Sequence, residues 1–236
     1  MIEDRSGNRG RPLLKAVAVS RTFGRGENAV HALKGAHLSI YPGQLVALKG
    51  RSGSGKTTLL NILAALDSPT EGQVYYGERN VGEMSERERD RLRRREIGLI
   101  FQSFALVPYM SAYENVEFGL RISGVKREFR RELAEQALEF VGLKQRMHHR
   151  PQEMSGGEQQ RTAIARAIAH KPKLVLADEP TAELDSKMGL QVIKVFRDLV
   201  EQEGISVVMT THDPAIMEIV DIVYTLEDGQ IADQNA

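Results

Sequence analysis

The chain has 236 residues, 41% hydrophobic and 27% charged, enough for one globular unit with a sizeable core. Lysine plus arginine and aspartate plus glutamate both number 32, so the zero formal charge offers nucleic acid no general electrostatic attraction. Cysteine is absent, which excludes disulfides and thiolate metal sites, and no apolar run approaches the roughly 20 residues that span a bilayer.

Residues 1–12 are polar and rich in arginine and glycine and are expected to form a loose tail, with no apolar stretch of a secretory leader in residues 1–7. A cytosolic protein is expected, with any membrane role supplied through a partner. Residues 13–19 predict a first strand and 36–40 another, closed by the turn Tyr41-Pro42-Gly43. Residues 44–48 predict a buried strand and 58–66 an amphipathic helix, so the region up to Gly77 is expected to be sheet around that helix. Residues 85–96 alternate acid and base at helical spacing, which fits a solvated helix face or a charged partner contact. A short buried strand over 97–101 ends at Gln102. The apolar, proline-containing stretch 103–110 follows. Residues 111–150 are helical in pattern, with Val116, Leu120, Leu133, Ala137, Leu138 and Val141 on one face and Gly142 as a stop. Residues 174–177 and 206–210 predict buried parallel strands joined through a helix over 186–202 by a right-handed crossover. A hairpin over 221–231 turns at Glu227-Asp228-Gly229.

Between the buried strand and its helix stands Gly50-Arg51-Ser52-Gly53-Ser54-Gly55-Lys56-Thr57, which fits G-x-x-x-x-G-K-[ST], the phosphate-cradling P-loop. Glycines let the backbone curl until several N–H groups face one anion, and the helix N-terminus adds partial positive charge. Lys56 is placed to reach the β- and γ-phosphates of a nucleotide, and the Thr57 hydroxyl to ligate Mg²⁺; Thr58 is expected to bind the nucleotide with the loop. The apolar run 174–177 ends in Asp178-Glu179. An acidic pair at a strand end commonly caps a helix or turn. Downstream of a P-loop, on a strand expected beside the P-loop strand, Asp178 instead suits Mg²⁺ and Glu179 a general base toward water. Ser155-Gly156-Gly157-Glu158 opens another helix as an N-cap with a capping box, and the same glycines expose N–H donors to an anion. Two such helix ends are redundant in one nucleotide site, so the second is expected to serve a nucleotide held by another copy.

In order and spacing these motifs resemble the ATP-binding subunit of ATP-binding-cassette (ABC) transporters, from about residue 13 to residue 233. The resemblance implies an α/β P-loop NTPase fold: a parallel core sheet, an antiparallel β edge subdomain and an inserted helical subdomain over about 103–165, all within one domain spanning 13–236. It implies ATP and Mg²⁺ as cofactors and ATP hydrolysis as the activity. Its partners are a second copy closing head to tail, a transmembrane permease and no nucleic acid, at the cytoplasmic face of the membrane. Residues 155–161 match the family signature and 174–179 the Walker B strand. Gln102 matches the Q-loop glutamine, which touches Mg²⁺ and couples to the permease. Ala182-Glu183-Leu184-Asp185 matches the D-loop at the dimer interface, and His212 the switch histidine toward the γ-phosphate. Phe23 matches the aromatic that stacks on adenine; by its own pattern it reads as core.

Three positions depart from the family pattern. Met154 stands for leucine, Glu183 for a smaller or amide residue, and Phe23 for tyrosine. None removes a group needed for hydrolysis. Residues 30–35, 97–102 and 154–166 resemble subunits serving lipoprotein release, macrolide and antimicrobial-peptide export, and haem export. A DNA-maintenance ATPase would place a long coiled coil between P-loop and signature, and the heptads for one are missing. A ribosome-binding factor would carry two cassettes. A regulatory module would not turn ATP over.

Overall fold

The computed structural model describes residues 10–235, so residues 1–9 of the expected tail lie outside the described residues. Strands β1 (Leu14–Phe23) and β2 (Val30–Ile40) run longer than the alternation in sequence marks. They pair antiparallel from Leu14 opposite Ile40 to Phe23 opposite Val30, and the ladder absorbs register shifts between Ala16 and Thr22. Next come β3 (Leu45–Lys49), α1 (Lys56–Leu63), β4 (Glu71–Tyr76), β5 (Arg79–Asn80), α2 (Glu86–Glu96) and β6 (Ile97–Ile100). Helices α3 (Ala112–Ile122), α4 (Arg127–Phe140) and α5 (Gly156–Ile168) precede β7 (Leu174–Ala177) and α6 (Ser186–Glu203). The described chain closes with β8 (Ser206–Thr211), α7 (Pro214–Met217), β9 (Ile222–Glu227) and β10 (Gln230–Asn235).

Two sheets result. An antiparallel one has the order β2-β1-β4-β5, and a six-stranded one has the order β10-β9-β3-β8-β7-β6. In the second, β9, β3, β8, β7 and β6 are parallel and only β10 is antiparallel. This corrects one expectation. The Asp178-Glu179 strand, β7, does not lie beside the P-loop strand β3, because β8 is inserted between them. Strand order is a long-range property, and nothing in the local pattern of either strand encodes it.

The parallel strands are apolar throughout because both their faces are covered. Val175, Ala177, Val207 and Met209 point into one core with α3 to α6, where Phe196 is fully buried. Leu174, Leu176, Val208, Val46 and Leu48 point into the other, with α1 and the antiparallel sheet. The predicted helical face is present: Val116, Leu120, Ala137, Leu138 and Val141 are buried, and Leu133 packs at its edge. Residues 111–150 are two helices rather than one continuous pattern. Ser111 caps α3 with a complete capping box, and Gly142, at φ +74°, takes the left-handed conformation that ends the turn after α4.

Candidate nucleotide site

The loop 50–55 runs from β3 into α1. Gly55 caps the helix at φ +102°, and a Cβ there would come within 2.5 Å of the Ala32 carbonyl oxygen. A Cβ on Gly50 would meet the Leu226 carbonyl oxygen at 2.5 Å. Glycine is therefore required twice, once for conformation and once for space. Lys56 is buried and turns back over the loop, donating from Nζ to the carbonyls of Gly50 at 2.9 Å and Arg51 at 3.1 Å. It also lies 3.9 Å from Glu179 Oε1.

The carboxylates belong to the same cluster although they come from another strand. Asp178 donates its N–H to the Ile100 carbonyl at the end of β6, which fixes it against the neighbouring strand. Its Oδ1 accepts from Thr57 Oγ1 at 3.2 Å and from Thr210 Oγ1 at 2.7 Å. Thr210 in turn accepts the Glu179 N–H at 2.8 Å. Glu179 sits at φ +42°, a left-handed backbone that costs a non-glycine residue about 1–2 kcal/mol and is held here by that bond. Thr210 is missing from the set of site residues expected from sequence. The available signal was a pair of threonines, Thr210 and Thr211, ending a strand whose centre is apolar and buried.

His212 follows β8 and lines two adjoining cavities. One, about 600 Å³, is formed by residues 49–54 and 225–228. The other, about 320 Å³, is formed with Glu179, Thr181, Ala182 and Leu184. Of the residues predicted for the site, the structure thus brings together Gly50, Ser52, Gly53, Ser54, Gly55, Lys56, Thr57, Asp178, Glu179 and His212. Thr58 is half-buried in the first turn of α1. Gln102 is exposed just past β6, two residues beyond the carbonyl that holds Asp178.

The remaining predicted residues lie elsewhere. Phe23 is exposed, not core, and the Arg21 guanidinium stacks over its ring at 4.5 Å. Ser155, Gly156 and Gly157 form the start of α5 and do not line the P-loop cavity among the described residues. Ser155 is exposed, and its Oγ accepts the Glu158 N–H at 3.3 Å while Glu158 Oε2 accepts the Ser155 N–H at 2.8 Å. The Ser155 backbone bond holds the Glu158 carboxyl below the usual carboxylate range. Gly156 lies against Leu184 and the Phe104 ring, and a Cβ on Gly157 would press on Met188. Asp185 is occupied as the N-cap of α6, accepting the Met188 N–H at 2.9 Å.

A strand–loop–helix anion cradle facing a strand-end carboxylate pair at the carboxyl edge of a parallel sheet defines a P-loop nucleotide-binding protein. The ABC transporter family profile matches residues 33–182. The lipoprotein-releasing system ATP-binding protein of Rhodospirillum rubrum is 42% identical over 218 residues, 92% of this chain and 96% of that protein. The macrolide export ATP-binding/permease protein of Marinobacter nauticus is 44% identical over 223 residues. That alignment covers 94% of this chain but only 34% of the longer relative. An ATP-binding cassette of Methanocaldococcus jannaschii, solved as a dimer in a post-hydrolysis state with ADP and Pi, superimposes with a TM-score of 0.85 at 39% identity. The match covers 94% of this chain and 97% of that one. The chain belongs to the ABC transporter family, as an ATP-binding subunit and an ATPase.

Proposed function

We propose that two copies of this chain close head to tail on two ATP molecules and thereby drive a membrane permease. The observation that carries this is the separation of two anion-binding ends within one chain. Residues 50–58 sit with Asp178, Glu179 and His212, whereas the start of α5, exposed at Ser155, stands outside that cavity among the described residues. A triphosphate held by Lys56 in one copy then meets Ser155, Gly156 and Gly157 of the other. Glu179 orients and deprotonates the attacking water, and His212 contacts the γ-phosphate. Phe23 stacks on adenine, with Arg21 already against the ring. Asp185 orders the D-loop at the contact between copies by capping α6.

Mg²⁺ fits the donors present. The Thr57 hydroxyl and Asp178 carboxylate lie 3.2 Å apart, both are hard oxygen donors, and Gln102 supplies an amide oxygen nearby in the chain path. When bound, the ion neutralises charge developing on the phosphates. Thr210 holds Asp178 toward Thr57 for this purpose.

Among the described residues no helix is long and apolar enough to cross a membrane. Peripheral attachment at the cytoplasmic face through a permease is the arrangement that the relatives named for lipoprotein release and macrolide export support. Export or extracytoplasmic release is the corresponding task. Glu179→Gln tests the core of the proposal. The amide keeps shape but cannot act as a base, so hydrolysis should stop, ATP binding should remain, and size exclusion with ATP should show a dimer. A photo-cross-link from position 155 should reach ATP bound on the other chain. Hydrolysis near the wild-type rate, or a cross-link only to ATP on the same chain, would refute it.

A further inference from the structure

The start of α5 contains a carboxylate in the turn that receives the partner's triphosphate, and on its face this is the wrong charge for the task. Glu158 is ionised, since its carboxyl is held below the usual range chiefly by the Ser155 N–H. Two residues hold its oxygens. Ser155 N donates to Oε2 at 2.8 Å, and Arg146 Nε donates to Oε1 at 3.0 Å. Arg146 also donates Nη2 to the Glu153 carbonyl at 3.0 Å and Nη1 to His149 Nε2 at 2.9 Å. A guanidinium has no acceptor, so in this contact the His149 Nε2 accepts. The arginine is thus fixed at two points besides Glu158, His149 and the Glu153 carbonyl.

The consequence lies at the donors. With Oε2 turned onto the Ser155 N–H and the Ser155 side chain, and the Ser155 Oγ accepting the Glu158 N–H, the carboxylate is spent on the cap and not on the first-turn donors beyond it. The N–H groups of Gly156 and Gly157 lie in the first turn, where no intrahelical acceptor exists. Resting on the head-to-tail reading above, we infer that Arg146 is a positioning residue for that composite site. It neutralises Glu158 and locks it into the capping box, so the donors of α5 face an anion without a repelling carboxylate. His149 and the Glu153 carbonyl aim the guanidinium.

The test uses the full chain carrying Glu179→Gln, with sedimentation to measure the ATP-dependent dimer and calorimetry to measure ATP binding by the single chain. Arg146→Met should weaken dimerisation about tenfold or more, in line with loss of a charge-assisted bond, while ATP affinity of the single chain stays unchanged. Glu158→Gln keeps the capping box and removes the charge, so adding it to Arg146→Met should bring dimerisation back to within about threefold of the parent. Arg146→Lys keeps the charge and should retain most of the dimer, which guards against a folding defect peculiar to the methionine variant. Equal loss from Arg146→Met with and without Glu158→Gln would mean the arginine only packs, and would overturn the inference. So would no loss, or a loss in Arg146→Lys as large as in Arg146→Met. A parent that forms no dimer with ATP would overturn both this inference and the head-to-tail reading, whereas a parent dimer indifferent to Arg146 overturns this one alone.

Discussion

Thr210 is fully buried and has two partners: it accepts the Glu179 N–H at 2.8 Å and donates to Asp178 at 2.7 Å. Valine has nearly its shape and neither bond. Thr210→Val therefore leaves the part-buried Glu179 N–H without its acceptor and Asp178 Oδ1 with Thr57 alone, at a cost of about 1–3 kcal/mol in stability. Turnover should fall tenfold or more while ATP affinity stays near wild type, because Lys56 and its loop are untouched. An unchanged turnover number in a steady-state phosphate-release assay would remove Thr210 from the site. Lys56→Ala should do the reverse. It deletes the cation proposed to face phosphate and the two bonds that hold the loop carbonyls, so calorimetry should find ATP binding lost or severely weakened. The P-loop, Asp178 and Glu179 were legible because their spacing and flanking strands are local. Thr210 was not, because its role depends on β8 lying between β3 and β7. The exposure of Phe23 was not legible, since an aromatic at the end of an alternating strand carries the same local pattern whether it is core or exposed.

Elements repeat this division. Helices whose ends carry their own chemistry are legible from sequence: α3 begins at Ser111 with Glu114 three residues on, and α5 at Ser155 with Glu158. β1 and β2 run past their predicted limits because their pairing, not their own alternation, sets their length. Just beyond α5, burial pushes the His170 imidazole below its ordinary value, and a backbone bond to Ile97 offsets this only in part. Its Nε2 is buried with no hydrogen-bond partner. The unfolded chain takes up that proton first as pH falls, so the contribution to stability is complete above about pH 6.5 and is lost on acidification through the depressed folded value. His170→Gln should flatten the fall in melting temperature below pH 6.5 relative to wild type. A parallel fall in both would show that His170 does not govern it. In α6, Phe196→Ala opens a cavity at a fully buried position and should cost about 3–5 kcal/mol in denaturant unfolding.

At the scale of the whole molecule the question is how motion at the nucleotide reaches a permease. Asn115, fully buried in α3, accepts the Val107 N–H at 2.7 Å and donates to the carbonyls of Val107, Met110 and Ser111. Arg166 of α5 donates to the carbonyls of Phe104 and Ala105, both at positive φ. The stretch after Gln102 is therefore pinned from two helices. Leu106 and Val107 are half-buried in it, and Tyr109 stands 81% exposed. A half-set apolar surface of this kind suits a short helix of a permease. Tyr109→Glu, alone and with Leu106→Glu, should abolish co-purification with the permease and leave basal ATPase of the isolated subunit intact. If Tyr109→Glu alone unfolds the subunit, the segment is core and the contact fails.

One edge of the larger sheet has a bearing on what such a machine must avoid. β10, at that edge, reads Gln-Ile-Ala-Asp-Gln-Asn, is mostly exposed, and breaks register between Ile231 and Asp233. The opposite edge strand, β6, keeps Ile97, Gly98 and Ile100 buried. A long apolar edge would recruit a neighbouring chain by strand addition, and that association would outlast any nucleotide. A polar, irregular border denies growing fibrils a template.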